Sequence, residues 1–316
     1  MSSSKIAIIG AGMAGITAAR TLTAAGCNVQ VFEKSRGSGG RLASKRSDMG
    51  RINLGAQSFA TQDPVFSAEL QTWQQAGWVT RSHSDPHDWT GAPYMSALTR
   101  NLLGHITTHF ACEVRALSHT DSCWLLYDQH KQAHGPFQQL IVAIPAPQAQ
   151  VLLSACAPDL AAQAAAVKMQ AVWMVALGFK QPLTATPNLA QLDTNVIAET
   201  IPTAQDDEHP MQTWMLRGSD QWSEQHLEDE KEPVITALRD AFAALFNTPL
   251  PPHDSAFAHR WRYALGALNP PVDNLADPQR GLYLAGDWCH TGDVYSAWCS
   301  GQDAAQRILQ QSTQQN

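Results

Sequence analysis

The stretch Lys5-Ile6-Ala7-Ile8-Ile9-Gly10-Ala11-Gly12-Met13-Ala14-Gly15 decides the fold. Its unbroken apolar run, ended by glycine, reads as a strand buried on both faces. The GxGxxG that follows opens a helix of small residues, Ala14 to Ala25, with Gly26 as the residue that ends it. Each glycine has its own task. Gly10 permits the tight turn, Gly12 lets the backbone approach a pyrophosphate, and Gly15 lets the helix pack close to the strand. The helix N-terminus offers free N–H groups and a positive dipole to the phosphates. Asn28 to Phe32 forms a second strand, and Glu33 ends it, 18 residues after Gly15. A carboxylate there accepts hydrogen bonds from both ribose hydroxyls and repels a 2′-phosphate. The result is one βαβ dinucleotide-binding unit.

This fingerprint serves FAD and NAD alike, and the next segment separates them. Ser35-Arg36-Gly37-Ser38-Gly39-Gly40-Arg41 follows the acidic strand end directly. Three glycines and two arginines form a loop able to wrap a pyrophosphate from a second side.

The 316 residues suit one large or two interleaved domains, and 44% hydrophobic against 16% charged residues allows a sizeable core. A net charge of −7 removes the general phosphate attraction of nucleic-acid binders and any polybasic membrane patch. Gly10 and Gly12 interrupt the first apolar run too early for a signal peptide, and Ala171 to Phe179 is only half a membrane span. A cytosolic enzyme with a small-molecule substrate is expected. Six cysteines without a CxxC spacing are expected to be reduced.

Outward from the opening motif, helices are predicted at Pro64–Ala76, Met95–Leu103, Leu160–Val167, Glu232–Phe246 and Ala297–Gln310. Strands are predicted at Glu113–Leu117, Trp124–Tyr127, Leu140–Ile144, Val172–Phe179, Met211–Leu216 and Gly281–Ala285. Thr80 to Pro93 reads as loop, and Gln181 to Pro210 as irregular surface with one strand at Asn195–Thr200.

The segment Glu33 to Arg41 resembles the GGR continuation of the flavin amine oxidase superfamily, and within it the bacterial renalases. Gly55-Ala56-Gln57-Ser58-Phe59 resembles the renalase GAQYF segment, with Ser58 in place of tyrosine. His259-Arg260-Trp261 resembles its HRW segment, Gly286-Asp287-Trp288-Cys289 its GDWC, and Ala297 to Ala305 its closing helix. The resemblance implies an α/β fold: a Rossmann-type FAD domain (1–65, 95–153 and 278–316) interleaved with a substrate domain (66–94 and 154–277) on a mostly antiparallel sheet. It implies non-covalent FAD, held by Gly10, Gly12, Met13, Ala14, Gly15, Glu33, Lys34, Ser35, Gly40, Arg41, Gly55, Ala56, Gln57, Val114, Gly286, Asp287, Val294, Tyr295 and Ala297. Gln57, His259, Trp288 and Tyr295 are the candidates for the reacting side. The implied reaction takes a hydride from a 2- or 6-dihydro-NAD(P) isomer and passes the electrons to O2, giving H2O2. Hydride transfer to a flavin needs little acid–base help, so the lack of an evident catalytic dyad is compatible with it. Rival readings are an oxidase of an amine or specialised metabolite, and a flavin protein without net redox chemistry. Two departures motivate them: Thr80–Pro93 is shorter than in bacterial renalases, and Val294-Tyr295-Ser296 replaces a Glu-Gly pair.

Trp261, Tyr263, Trp288, Tyr295 and Trp298 are expected to meet near the flavin, where a flat substrate ring would stack. Ala297, Gly301, Ala304, Ala305 and Ile308 share one small-residue face expected to pack closely on another element. His259 with Arg260 could orient an anionic or carbonyl group. His83, His87 and Asp88 have ligand-type side chains but no apolar scaffold, so no metal is assigned.

Overall fold

The computed structural model describes residues 4–82, 85–203, 205, 207, 209–268 and 275–314. Strands and helices are numbered along the chain. The central sheet has β1 (Lys5–Ile9) flanked on one side by β2 (Asn28–Glu33) and β7 (Thr107–Phe110). On the other side lie β11 (Gln139–Val142) and β17 (Leu282–Leu284), all parallel, with β16 (Ala276–Asp277) as an antiparallel edge. The apolar run of β1 serves both faces. Ile6 and Ile8 enter one core with α1 (Met13–Ala24), α2 (Pro64–Gln75), α3 (Met95–Leu103) and α8 (Val294–Gln314). Ala7 and Ile9 enter the other, with α4 (Ala146–Leu153), α5 (Pro158–Ala165) and the three-stranded sheet β8 (Val114–Thr120), β9 (Cys123–Asp128), β10 (Ala133–Phe137).

Burial of whole apolar side chains, each worth about 1.5–3 kcal/mol, fixes these layers, and glycine fixes how close they come. A Cβ on Gly301 of α8 would lie 2.3 Å from the Ala14 carbonyl oxygen of α1. The small-residue face of the last helix therefore packs on the first helix, as its sequence spacing predicts.

A second sheet, in the order β13 (Ile197–Thr203), β14 (Gln212–Gly218), β12 (Gln170–Phe179), β15 (Ser255–Leu265), is antiparallel throughout. Along β12 the period-two alternation is clean. Trp173, Val175, Leu177 and Phe179 face α7 (Lys231–Ala243), beside α6 (Asp220–Gln225). Val172, Met174 and Ala176 face the hairpin of β3 (Ser44–Ser47) and β4 (Gly50–Asn53) through Met49 and Ile52. This second face looks toward the Gly55 segment.

Two expectations are corrected. Thr80–Pro93 is not all loop: β5 (Val79–Arg81) pairs with β6 (Trp89–Gly91), and Phe59 bridges Trp89. Strands of three residues are too short to show a period, so only their partners reveal them. The closing helix begins at Val294, not Ala297, because Asp293 caps it: its Oδ1 accepts the Ser296 N–H at 2.6 Å. Residues 66–94, assigned to the substrate side from sequence, bring Phe66, Leu70, Trp73, Val79 and Trp89 into the same core as α1 and α8.

Candidate functional site

The strand ends of the parallel sheet converge on one cradle. A Cβ on Gly10 would sit 2.3 Å from the Ala143 carbonyl oxygen beyond β11, and one on Gly15 would sit 2.0 Å from the Gly10 oxygen. The turn closes only with glycine at both positions. Gly12 differs: a Cβ there would meet nothing within 4 Å. The first helical hydrogen bond of α1 runs from the Ile16 N–H to the Gly12 oxygen, 2.9 Å, and no side chain caps the end. A helix N-terminus that opens on free space with uncapped N–H groups suits an anion such as a pyrophosphate.

Ala11 is clasped from two sides. Its N–H donates to Glu33 Oε2 at 2.8 Å, and its carbonyl accepts the Gly39 N–H at 2.7 Å. Glu33 is buried, and its Oε1 accepts the Ser35 N–H at 2.8 Å. One carboxylate thus joins the glycine turn to the second loop, and each oxygen keeps a lone pair for a ribose hydroxyl. A Cβ on Gly40 would lie 3.6 Å from the Gly12 Cα, so the two loops line one space. Lys34 and Ser35 are exposed at its edge. Cys112 N–H donates to the Glu33 carbonyl and Ala111 N–H to the Ser35 carbonyl, both at 2.9 Å, which brings Val114 at the start of β8 behind the same corner.

Arg41 and Asp287, both assigned to the nucleotide by resemblance, pair first with each other. Arg41 Nη1 and Nη2 donate to Asp287 Oδ2 and Oδ1 at 2.7 and 2.6 Å, and Nη1 also donates to the Ala264 carbonyl at 2.7 Å. Opposite charges at that distance in a partly buried site favour the bidentate pair. The result ties the second loop, the end of β17 and the end of β15 together. Gly286 N–H donates to Ser300 Oγ at 3.0 Å, so this strand end is fastened to α8.

Gly55 passes under Arg41: a Cβ there would lie 2.2 Å from the Arg41 carbonyl oxygen, and that oxygen accepts the Ala56 N–H at 3.1 Å. Gln57 folds back, its Nε2 donating to the Asn53 and Gly55 carbonyls at 2.9 and 2.8 Å. Trp261 Nε1 donates to the Leu54 carbonyl at 2.8 Å, fastening the antiparallel sheet beside this segment.

The aromatic residues expected to meet do not form one cluster. Trp288 is fully buried under the opposite face of the parallel sheet, with Nε1 donating to the Ile144 carbonyl at 3.0 Å. It presents no open ring face for a substrate. Tyr295 lies in the first turn of α8 rather than in a loop, and Trp298 and Phe66 pack with it. Its hydroxyl is bonded to Cys299 and Asp63, and these bonds together with burial push the phenol well above the usual tyrosine range. Trp261 sits beside the Gly55 segment through its bond to the Leu54 carbonyl, with His259 edge-on at 4.4 Å between ring centroids. His259 and Arg260, adjacent in sequence, point to opposite faces. Arg260 bonds the Leu227 carbonyl and Glu228 on the α6 side.

The face of β15 toward the β3–β4 hairpin therefore carries Trp261, His259 and Phe257. Lys45 Nζ lies 3.6 Å from the Phe257 ring centroid, and Lys231 Nζ lies 5.9 Å from it. Burial, then the Lys231 and Lys45 charges, push His259 below its usual value, so its imidazole is neutral near pH 7. Sequence reading missed both lysines. The aromatic alternation at 257, 259, 261 and 263 was the available signal for this strand.

Cys289 is buried, and its thiol is pushed up to about 12 by that burial, so it is no thiolate nucleophile. Asp88 accepts from Ser58 Oγ at 2.7 Å, and the His87 carbonyl from Arg81; His83 lies outside the described residues.

Comparison with known proteins agrees with this geometry. The pattern of an NAD(P)-binding Rossmann-like domain matches residues 8–71, and that of flavin containing amine oxidoreductases matches residues 93–309, more than half of the chain. A putrescine oxidase triple mutant is similar over 98% of this chain and 99% of its own, at 13% identity and a TM-score of 0.74. Cyclohexylamine oxidase from Brevibacterium oxydans is similar over 98% and 100%, at 14% and 0.70. A CLA-producing fatty acid isomerase from P. acnes is similar over 96% and 98%, at 15% and 0.66. At these identities the structures share the fold. Among the described residues no helix is long and apolar enough to cross a membrane. The chain belongs to the flavin-containing amine oxidoreductase family, and its cofactor is FAD, held without a covalent bond.

Proposed function

We propose that this enzyme oxidises isomers of reduced nicotinamide dinucleotides, with the extra hydride at the 2- or 6-position of the ring. The balanced reaction is dihydro-NAD(P) + O2 + H+ to NAD(P)+ + H2O2, a repair of misreduced cofactor. The observation that carries this reading is the row Trp261, His259, Phe257, which starts beside Leu54 and Gly55 and ends at Lys45 and Lys231. Alternate strand residues are about 6.6 Å apart, so the row spans about 13 Å. A flat ring at the Gly55 end and phosphates at the lysine end fit that order. The positive field at His259 opposes an ammonium group.

In this reading Gly10, Gly12, Met13, Ala14, Gly15, Gly40 and Arg41 hold the pyrophosphate, and Glu33, Lys34, Ser35 and Val114 frame the adenosine. Gly286 and Asp287 face the ribityl chain. The backbone of Gly55, Ala56 and Gln57 lines the reactive edge, and the start of α8 at Val294, Tyr295 and Ala297 faces the pyrimidine end. FAD, when bound, accepts the hydride equivalent and hands two electrons to O2. The protein's part is to orient the donor ring on Trp261, to hydrogen-bond it through neutral His259, and to keep water out with the apolar Met49, Ile52 and Met174 wall. Trp288 supports the strand end and touches no substrate. Residues 1–65, 95–153 and 278–316 form the cofactor part and 154–277 the substrate part, with 66–94 at the border.

Family membership and the amine substrates named for two fold relatives favour a second reading, amine oxidation. Turnover assays with 2- and 6-dihydro-NAD(P), ordinary NADH, and aryl and alkyl amines decide between them. The expected result is NAD(P)+ and H2O2 in equal amounts from the isomers alone. Peroxide from an amine, with the isomers inert, replaces the proposal by amine oxidation.

A further inference from the structure

Behind the adenosine corner lies a cluster that neither cofactor nor substrate binding uses. Among the described residues, Cys112, Asp128 and His134 are the one group of three His, Cys, Asp or Glu side chains whose donor atoms all lie within 4.8 Å of one another. Cys112 and Asp128 are buried and His134 is half-buried. We propose that these three residues bind a thiophilic divalent cation of the Zn2+ type.

The geometry distinguishes this from a catalytic triad. In a proton relay the histidine meets the nucleophile through one ring nitrogen and the carboxylate through the other. Here His134 Nε2 serves both neighbours, at 3.0 Å from Asp128 Oδ2 and 3.9 Å from Cys112 Sγ. One nitrogen facing two donors, with all three donor atoms within 4.8 Å of one another, gathers the ligands around a single spot. Tetrahedral zinc, with Zn–S about 2.3 Å and Zn–N and Zn–O about 2.1 Å, separates sulfur from nitrogen by about 3.6 Å and nitrogen from oxygen by about 3.4 Å. Both pairs through Nε2 reach those values by shifts of a few tenths of an ångström.

Each donor is aimed by its own support. Asp128 Oδ1 accepts the His130 and Gln132 N–H groups at 2.8 and 3.0 Å, which leaves Oδ2 turned to the cluster. The His134 ring packs edge-on against Phe32 at 5.2 Å. Cys112 is anchored by its N–H to the Glu33 carbonyl. A thiolate and an imidazole select a borderline-soft ion over Mg2+ or Ca2+, and three protein ligands leave the fourth position to water. Burial and the Asp128 carboxylate hold the Cys112 thiol protonated. Binding therefore forms the metal–sulfur bond as the S–H bond breaks and its proton passes to solvent. No oxidation is involved.

The bound ion would clamp the connection between β7 and β8 against β9 and β10. That connection backs Glu33 and Ser35, so metal and FAD should strengthen each other's binding by the same factor.

The test uses the FAD-loaded enzyme, freed of metal by a chelator and titrated with Zn2+ or Co2+. One equivalent should bind per chain, with about one proton released near neutral pH. Co2+ should give tetrahedral d–d bands to the red of the flavin absorption. Cys112→Ser and His134→Gln should each weaken Zn2+ binding at least roughly tenfold, whereas Cys123→Ser on the same sheet should not change it. Flavin content verifies that each variant is folded. Should a variant fail to fold, the wild type decides: bound Zn2+ must slow alkylation of Cys112, located by peptide mass. Equal Zn2+ affinity in the folded variants, or no protection of Cys112, overturns the site.

Discussion

The parallel sheet and the larger antiparallel sheet are fastened to each other through Arg41, yet in the proposed reading they specify their ligands by different means. At the ends of the parallel sheet the chain offers main-chain N–H groups, and glycines decide how near two backbones come. On the antiparallel sheet the proposed ligand face is made of side chains on a strand that other residues could build equally well. A cradle made of backbone tolerates almost no change and leaves a fixed pattern in sequence. A pocket made of side chains can be retuned one residue at a time.

That contrast is broken most sharply at Gly15. Gly15→Val puts a branched side chain where even a Cβ would lie 2.0 Å from the Gly10 oxygen. The protein should lose about 3 kcal/mol or more and purify without flavin. Gly37→Ala, in a loop position with nothing within 4 Å, should leave melting temperature and flavin content unchanged. If Gly15→Val keeps its FAD, close backbone approach does not govern the cradle.

Next in size are the two carboxylates. Asp287→Asn removes the charge opposite Arg41 and should lower stability by about 1.5–3 kcal/mol. Calorimetry of the apo and FAD forms reads it. Glu33→Ala should weaken FAD binding by about 1–3 kcal/mol, roughly fivefold to 150-fold. It also strips the partners of the Ala11 and Ser35 N–H groups, so some melting temperature should be lost even without FAD. Unchanged affinity would remove Glu33 from the ribose.

On the substrate sheet smaller effects are expected, and in kinetics rather than in folding. Lys45→Glu with Lys231→Glu should raise KM for the dinucleotide roughly threefold to tenfold with little change in kcat. Raising the salt should blunt the difference, because both lysines are exposed. Equal KM values in variant and wild type would take the phosphates away from this end of the row.

The smallest effect concerns pH. Burial, the first cause at each, holds His109, His119 and His259 below their usual values. The unfolded chain then binds protons that the native one does not, so stability is level above about pH 6.5 and falls as pH drops below it toward the native values. Denaturant titrations between pH 5 and about 8 measure the slope. A rise in stability on acidification would contradict the sign.

The same contrast explains what could be read without the structure. Lys5 to Glu33 announces strand, turn, helix and strand because Gly10 and Gly15 leave no room for a side chain, and the Gly301 face announces a close helix crossing. Ser44–Ser47 has no apolar alternation and becomes a strand only because Gly50–Asn53 pairs with it. Thr107–Phe110 is equally plain in sequence and is a strand because β2 offers its edge. Trp288 and Trp261 look alike in sequence as aromatic neighbours of a cofactor motif. Which face of a strand end each takes depends on packing partners more than a hundred residues away, Ile144 for one and Leu54 for the other. The Arg41–Asp287 pair, 246 residues apart, is legible as two charged residues but not as a pair.

Anaerobic rapid mixing of the FAD-loaded enzyme with single substrates, followed by flavin absorbance, separates a dihydronicotinamide donor from an amine donor. Fast bleaching is expected with 2- or 6-dihydro-NAD(P), slow or no bleaching with ordinary NADH, and none with putrescine or cyclohexylamine. Fast bleaching by an amine with the dihydro isomers inert would contradict it.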